Sequence, residues 1–201
     1  MLTWSDHLGL LRGWRSVPPQ CLTDIAAPQR EARVTIGRSL DSDPIEEARR
    51  QWVAHGWTQA ADGMAAVTSI VRAQQIVLQR IDTVLRPLDL TFARYEILTL
   101  LSFTRQGALP MTRMGALLQV HPTSVTSAVD RLEAQGFVER LPHPTDRRAV
   151  LASITATGRA RATAATTALN AQVFEQLGIT ENQTNQLRTV LRALRANAGD
   201  F

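Results

Sequence analysis

Lysine is absent from this sequence, cysteine occurs once, at Cys21, and aromatic residues make up only 5% of the 201 positions. A single cysteine excludes an internal disulfide and any zinc site made of cysteines, which fits a reducing, cytoplasmic setting. No run approaches the roughly 18 consecutive apolar residues of a membrane span, and the first residues lack the basic start and apolar core of a secretion signal. We therefore expect a protein with no membrane association.

What the chain does have is enough apolar content for a core, and a positive charge that is unevenly distributed. Hydrophobic residues account for 44%, which excludes wholesale disorder, and 22 arginines give a formal net charge of +4. Residues 1–57 contain seven arginines and seven acids, whereas residues 104–161 contain eight arginines and four acids. A local basic excess is typical of proteins that bind a polyanion, although many solvated surfaces are also mildly basic.

The first quarter of the chain divides into an arm and a short helix. Residues 1–43 show no sustained periodicity and are interpreted as a poorly ordered arm; a start site placed too far upstream is the second possibility. Asp43 and Pro44 then favour a helix start, because the acid can cap and a proline in the first turn loses no needed hydrogen bond. This helix is predicted to stop near His55 and Gly56.

A long helix is predicted next, from Thr58 or Asp62 to Leu85, and the proline at position 87 ends it. Its apolar residues recur every three or four positions and form one seam: Met64, Val67, Val71, Leu78, Ile81 and Leu85. Other apolar residues widen this stripe: Ile70, Val77 and Val84. A helix with so wide a stripe needs a partner helix, in the same chain or in a second copy.

The middle of the chain predicts two short helices joined by a tight turn and followed by a two-stranded hairpin. Thr91 caps a preceding helix, Thr112 begins the first short helix, and the second spans 122–135. The apolar period then changes from about 3.6 to about 2, which predicts strands over 137–141 and 149–154. The residues between these strands are polar and proline-rich, as expected for a hairpin tip.

Two further helices complete the chain, over 156–177 after a cap at Thr155 and over 180–196, where Thr180 and Gln183 form a capping box. The predicted fold class is mainly α with a small antiparallel β wing: a winged helix-turn-helix with a helical dimerisation region contributed by both termini. The predicted regions are the N-terminal arm (1–43), the N-terminal dimerisation helices (44–88), the winged helix-turn-helix DNA-binding domain (89–156) and the C-terminal dimerisation helices (157–201).

The helix over 122–135 and the hairpin tip carry the candidate DNA-binding residues: Pro122, Thr123, Ser124, Thr126, Ser127, Arg131, Arg147 and Arg148. Short hydroxyl side chains let a helix approach base edges in a major groove about 12 Å wide, and Arg131 can reach a phosphate or a guanine. The tip arginines could enter a narrow minor groove, with Asp146 orienting one of them. A solvated helix face and an exposed charged turn are the alternatives.

From about Asp43 to Arg195 the chain resembles the MarR family of winged-helix transcriptional regulators. The segment 122–127 resembles the recognition helix of that family, and 131–140 resembles its helix exit and first wing strand. Residues 146–151 with 154–158 match its wing signature, an Asp-x-Arg tip that runs into Leu/Ile-Thr-x-x-Gly. The arm lies outside the resemblance.

The resemblance implies a homodimer that binds a palindromic operator in double-stranded DNA. It also implies a small phenolic or lipophilic effector between the dimerisation and DNA-binding lobes, with Arg148 as the minor-groove arginine and Asp146 as its partner. The function expected is that of a repressor released by its ligand. A DNA-binding protein of the same fold without ligand sensing and a helical protein–protein adaptor are the alternatives.

Other chemistry finds little support in the sequence. There is no Gly-rich phosphate loop, no Gly-x-Ser-x-Gly elbow and no metal triad, so we expect neither enzymatic activity nor a cofactor. The histidines do not fall at ligand spacing, and Cys21 has no flanking base, which argues against metal and redox sensing. A ligand pocket could be lined by Trp57, Phe92, Tyr95 and Phe103, although ordinary core packing is the alternative for each.

Overall fold

The structure is a computed structural model, and residues 42–146 and 149–201 are described. The predicted arm as far as residue 41, with Cys21, and the wing residues Arg147 and Arg148 lie outside the described residues. The helices are α1 (Pro44–Ala54), α2 (Thr58–Leu85), α3 (Phe92–Phe103), α4 (Met111–Leu118), α5 (Pro122–Ala134), α6 (Ala156–Leu169) and α7 (Glu181–Asn197). The strands are β1 (Ala108–Pro110), β2 (Val138–Pro142) and β3 (Val150–Ile154). The predicted fold class, mainly helical with a small antiparallel sheet, is confirmed.

The caps that the sequence predicts for the first and last helices are present. The Asp43 carboxylate accepts a hydrogen bond of 2.9 Å from the Ile45 amide, and Gly56, with φ 83°, follows the end of α1. At the start of α7 the side chains of Thr180 and Gln183 form a reciprocal capping box. Both devices satisfy amides that a helix leaves free in its first turn.

The sheet contains a strand that the sequence analysis missed. β1 pairs antiparallel with β3, placing Leu109 opposite Ala152, and β3 also pairs with β2, so the order is β1-β3-β2. A three-residue strand that ends in proline is too short to show alternation. Because β1 passes directly into α4, this helix begins at Met111 and not at the predicted Thr112.

One hydrophobic core joins α2, α3, α4, α5, α6 and the sheet. Its fully buried large side chains are Leu85, Ile97, Leu98, Leu101, Met114, Val125, Val129, Leu132, Val138, Leu169 and Val173. Gly158, in the first turn of α6, is required here, because a Cβ at this position would lie 2.0 Å from the carbonyl oxygen of Phe137. This close approach fixes α6 against the end of α5 and the start of the wing.

The helix predicted over 156–177 is shorter and ends differently. α6 stops at Leu169 and continues as a π-helical turn over Asn170–Phe174. The guanidinium of Arg80, on α2, donates to the carbonyl oxygens of Gln172 and Gln176 at 3.2 and 2.6 Å. It thereby satisfies carbonyls that this irregular helix end leaves without helical partners.

The apolar seam of α2 is only partly covered within one chain. Ile81 and Leu85 are buried, but Val67 is 62% exposed and Val71 is 48% exposed. Within the described chain no residue of α7 is buried, and Val190 is 64% exposed.

Among the described helices, none has the length and apolar content needed to cross a membrane.

Candidate DNA interface

The turn between α4 and α5 sets the exposed face of the second helix. Gln119 adopts a left-handed conformation, with φ 52°, which turns the chain sharply before α5. The inner face of α5 is fixed by Val125, Val129 and Leu132, all with at most 1% exposure. The hydroxyl-bearing face of the helix is therefore held outward by core packing.

Four of the predicted DNA-binding residues come together on this outer face. The side chains of Thr123, Ser124, Ser127 and Arg131 are exposed and line one open groove of about 600 Å³. The Arg131 side chain makes no hydrogen bond or ion pair within the described residues. Its guanidinium and the hydroxyl groups are thus available to a ligand outside the chain.

Pro122 and Thr126 lie on a different side of α5. They line a second groove, of about 260 Å³, with Met111, Ala149 and Val150, between the recognition-type helix and the wing. The Thr126 hydroxyl donates to the carbonyl oxygen of Pro122 at 3.1 Å, so its proton is already used. The predicted set is thereby divided between an outward face and a wing-facing face.

The acids of α5 are paired with the wing. The guanidinium of Arg140, on β2, forms ion pairs with both Asp130 and Glu133. Burial by itself would lower the pKa of Arg140, but the hydrogen bonds to Asp130 and Glu133 outweigh burial and raise this pKa. The guanidinium therefore offsets one of the two negative charges, which weakens the repulsion that these acids would exert on a polyanion near Arg131.

An arginine that the sequence analysis missed also lies on the outer groove. Arg94, on α3, lines the same groove as the outer face of α5. Its Nη1 donates to Gln135 Oε1 at 3.0 Å, its Nε donates to Thr91 Oγ1 at 3.3 Å, and Gln135 Nε2 in turn donates to the Asp89 carbonyl at 3.0 Å. The sequence gives no link between Arg94 and α5, which begins 28 residues later. The only local signal for an ordered Arg94 side chain is its position three residues after the Thr91 cap.

The turn at residues 143–146, which precedes the two tip arginines in the sequence, is built around a histidine. Nδ1 of His143 accepts from the amides of Thr145 at 3.3 Å and Asp146 at 3.1 Å, and the Ala149 amide donates to the Asp146 carbonyl at 3.0 Å. These bonds close the turn that leads to the two tip arginines. Because those arginines lie outside the described residues, the pairing of Asp146 with one of them stays a prediction.

The four aromatic candidates for a ligand pocket do not line a single cavity. Phe92 and Tyr95 stack with ring centroids 6.1 Å apart, and the buried Tyr95 hydroxyl lies 3.2 Å from Thr166 Oγ1. Trp57 is 54% exposed, and its ring contacts the rings of Trp52 and His55. Phe103 is 82% exposed. Only Phe92 and Tyr95 are thus in mutual contact, as in ordinary packing.

The face of α3 beside these rings has two unusual polar groups. Burial raises the pKa of the half-buried Glu96 carboxyl. The hydroxyl of Thr99 is buried and, among the described residues, has no hydrogen-bond partner. No group of three histidine, cysteine or acidic side chains in the described chain is placed to hold a metal ion.

Comparison with known proteins places this geometry among related chains. The model of the MarR family matches residues 90–150. Sco5413, a MarR family transcriptional regulator from Streptomyces coelicolor, is 48% identical, with a TM-score of 0.65, over 70% of this chain and 97% of that chain. The structure of CouR from Rhodococcus jostii bound to p-coumaroyl-CoA is 27% identical, with a TM-score of 0.55, over 62% of this chain and 87% of that chain.

A curated relative matches a shorter part of the chain. The multiple antibiotic resistance protein MarR of Escherichia coli is 37% identical over 76 residues, which are 38% of this chain and 51% of that protein. The chain thus spans about half the length of this curated relative and of the MarR protein of Salmonella typhimurium, which it also matches.

Proposed function

Because the chain belongs to the MarR family of transcriptional regulators, we propose that it is a homodimeric, sequence-specific DNA-binding repressor released by a small aromatic or lipophilic ligand. The proposal has three parts: DNA binding by the outer face of α5, dimerisation through α2 and α7, and release by a ligand. Each part has its own support and its own test.

The observation that carries the proposal is the outer face of α5. Hydroxyl groups and Arg131 face outward there, with Arg94 beside them, while Arg140 pairs with the nearby acids and offsets one of their two charges. A major groove about 12 Å wide admits a helix whose short side chains meet base edges while arginines meet phosphates. A merely solvated face would need neither the paired acids nor an arginine brought in from another helix.

The roles follow from these positions. Thr123, Ser124 and Ser127 contact base edges, while Arg131 and Arg94 contact phosphates. Pro122 and Thr126 set the contact between α5 and the wing. We also assign Arg147 and Arg148 to the minor groove; the family resemblance gives this role to Arg148, with Asp146 orienting it. The region 89–156 is then the DNA-binding domain, with 44–88 and 157–201 as the dimerisation helices and 1–43 as an appended arm.

Dimerisation is supported by the apolar residues that one chain leaves exposed. Val67 and Val71 on α2, and Val190 and Leu194 on α7, all have at least 48% exposure. Contiguous exposed apolar side chains of this size mark protein interfaces. A symmetric pair would present two α5 helices to half-sites about 34 Å apart, one turn of B-DNA, and hence to an inverted repeat.

Ligand release is supported by one neighbour, since CouR is a protein of this fold that binds p-coumaroyl-CoA. A ligand between the lobes favours a spacing of the two α5 helices that no longer fits the operator. It shifts the equilibrium only by the difference between its affinities for the two spacings.

Fluorescence anisotropy tests the DNA-binding part. The full chain is titrated into a labelled duplex that carries the inverted repeat flanking its own gene, and into a random duplex of equal length. We expect binding to the repeat at least about 10³-fold tighter than to the random duplex. Absence of binding to either duplex at low salt overturns the proposal and favours a protein–protein adaptor.

Thermal shift with aromatic carboxylic acids and their coenzyme A thioesters tests the ligand part. A ligand that raises the melting temperature and lowers operator affinity supports a ligand-released repressor. Operator binding that none of these compounds changes favours a regulator of the same fold that does not sense them.

A further inference from the structure

Two histidines hold the two ends of the proposed interface in the same way. His121 precedes the first turn of α5, and His143 lies in the turn between β2 and β3. In both residues Nδ1 accepts hydrogen bonds from main-chain amides two or three positions ahead. This arrangement is usual for aspartate and asparagine, whose side-chain oxygens cap helices and turns.

At the start of α5 the accounting of amides is complete. Pro122 has no N–H, the Thr123 amide donates to Nδ1 of His121 at 3.3 Å, and the Ser124 amide donates to the His121 carbonyl at 2.9 Å. Thr123 and Ser124, two of the three residues that we assign to base contacts, thus lie in a turn held by His121. Without that cap the turn would fray, and DNA binding would have to order it.

At the wing, Nδ1 of His143 receives the amides of Thr145 and Asp146, at 3.3 and 3.1 Å, and so holds the turn immediately before the tip. The His143 amide also donates to the Ala149 carbonyl at 3.2 Å, across the turn. One side chain therefore fixes the path of the chain into the wing tip.

The chemistry of the bonds fixes the tautomer of each ring. A main-chain N–H can only donate, so Nδ1 of His121 and of His143 carries no proton and Nε2 carries it. His55 is the opposite case, because its Nδ1 lies 2.8 Å from the Gln51 carbonyl, which can only accept. His55 therefore has its proton on Nδ1 and provides an internal reference away from the interface.

We infer that His121 and His143 are positioning residues of the DNA interface, which act through an unprotonated Nδ1 that holds the first turn of α5 and the wing turn in the shape that binds DNA. This inference rests on the proposed function. It assigns no DNA contact to either ring. The competing explanation is that the protonated Nε2 of each ring donates directly to a phosphate.

Asparagine and glutamine variants distinguish the two explanations. The amide of asparagine places an acceptor where Nδ1 lies, whereas the longer glutamine side chain places its amide near Nε2. We expect H121N and H143N to bind the operator as the wild type does. H121Q and H143Q should bind about fivefold more weakly, the ratio that corresponds to about 1 kcal/mol for a lost cap. The two losses should multiply in the double glutamine variant, since each histidine holds a separate turn.

Amide hydrogen exchange gives a readout that needs no DNA. The Thr123 amide should exchange faster in H121Q than in the wild type and H121N, and the Thr145 and Asp146 amides should do so in H143Q. Nitrogen NMR of the imidazoles should show the proton on Nε2 for His121 and His143 and on Nδ1 for His55. The control variant H55Q should leave operator affinity unchanged.

Retained affinity in the glutamine variants with lost affinity in the asparagine variants would overturn the inference in favour of direct contact. Unchanged amide exchange in all four variants would overturn it as well. If the wild type binds no DNA, the proposed function fails, while the exchange and NMR data still decide whether the two histidines hold their turns.

Discussion

The guanidinium of Arg140, on strand β2, lies against the carboxylate of Glu133, near the end of helix α5. Asp130, one turn earlier on α5, joins the same guanidinium. This cluster attaches the first wing strand to the helix that we assign to the major groove. It also offsets one of the two negative charges on a surface that would face phosphates, so its loss should affect both folding and DNA binding.

Replacing Arg140 with alanine should lower the free energy of unfolding by about 1 kcal/mol, because two partly exposed carboxylates lose their partner. The melting temperature should fall by about 2–4 °C. Operator affinity should fall further than this loss of stability explains, and the excess should shrink at high salt, since the freed acids repel phosphates. R50A is the control, because Arg50 pairs with Glu47 on the exposed side of α1. An R140A variant that behaves like R50A would contradict this role.

Arg94 and Arg131 should each contribute one phosphate contact. For R94A and for R131A we expect weaker binding to operator and random duplex alike, and a plot of log affinity against log salt that is flatter by about one unit. Anisotropy titrations over a range of salt concentrations measure both effects. R72A is the matched control, since Arg72 is an exposed arginine on α2 outside the groove. A loss confined to the operator would instead indicate that the side chain reads a base.

The wing arginine gives a prediction that comes from the family resemblance alone. R148A should weaken operator binding and lower the salt slope by about one unit. Because minor-groove width depends on sequence, the loss should be greatest where A·T pairs flank the half-sites. Gel shifts with operators that differ only in these flanks provide the measurement, and binding unaffected by R148A would count against the proposed role of the wing.

The double variant V190D/L194D should be monomeric. Both side chains are more than half exposed in one chain, and a pair of carboxylates cannot be buried against a second apolar surface without a large desolvation cost. Sedimentation equilibrium measures the mass directly. T189D is the control, because Thr189 lines a groove with Arg192 and Phe201 to which Val190 and Leu194 do not contribute, and it should leave the dimer intact. A dimeric V190D/L194D would place the interface elsewhere.

Glu96 should make stability depend on pH in a defined direction. Burial raises the pKa of this carboxyl above its ordinary value of 4.5, so the folded state holds the proton more tightly than the unfolded state does. The resulting contribution to stability is present below the unfolded pKa and is lost as pH rises through the folded pKa. E96Q should therefore match the stability of the wild type near pH 4 and exceed it at pH 7, by a small margin because the group is only half-buried.

Urea unfolding at the two pH values measures this difference. E139Q serves as the control for the exchange of a carboxylate for an amide, since Glu139 is exposed on β2. An E96Q variant less stable than the wild type at pH 7 would show that the carboxylate has a favourable partner in the assembled protein.

Local devices of the fold were predictable from the sequence, and long-range ones were not. The cap at Asp43 and the capping box at Thr180 depend on residues within one turn, so their patterns are complete in the sequence. Strand β1 exists because β3 pairs with it from more than 40 residues away. Arg94 was not predicted for the same reason, because its position beside α5 depends on the packing of α3 against residues far away in the sequence.

Side-chain geometry accounts for the remaining differences at the site. Periodicity placed Thr126 among outward hydroxyls, but its position one turn after Pro122 directs its proton to the helix backbone. The sequence spacing of His121 and His143 bears only on whether they could be metal ligands. Their function as acceptors of main-chain hydrogen bonds depends on ring orientations that no spacing specifies.

The passage of β1 into α4 without an intervening residue has a mechanical consequence. The sheet and the two helices of the turn cannot tilt independently, because β3 holds β1 along its entire length. Each DNA-binding domain should therefore rotate as a rigid body about its attachments to α2 and α6. A regulatory signal would then change the distance between the two rigid DNA-binding domains of a dimer, and the wing would move only together with α5.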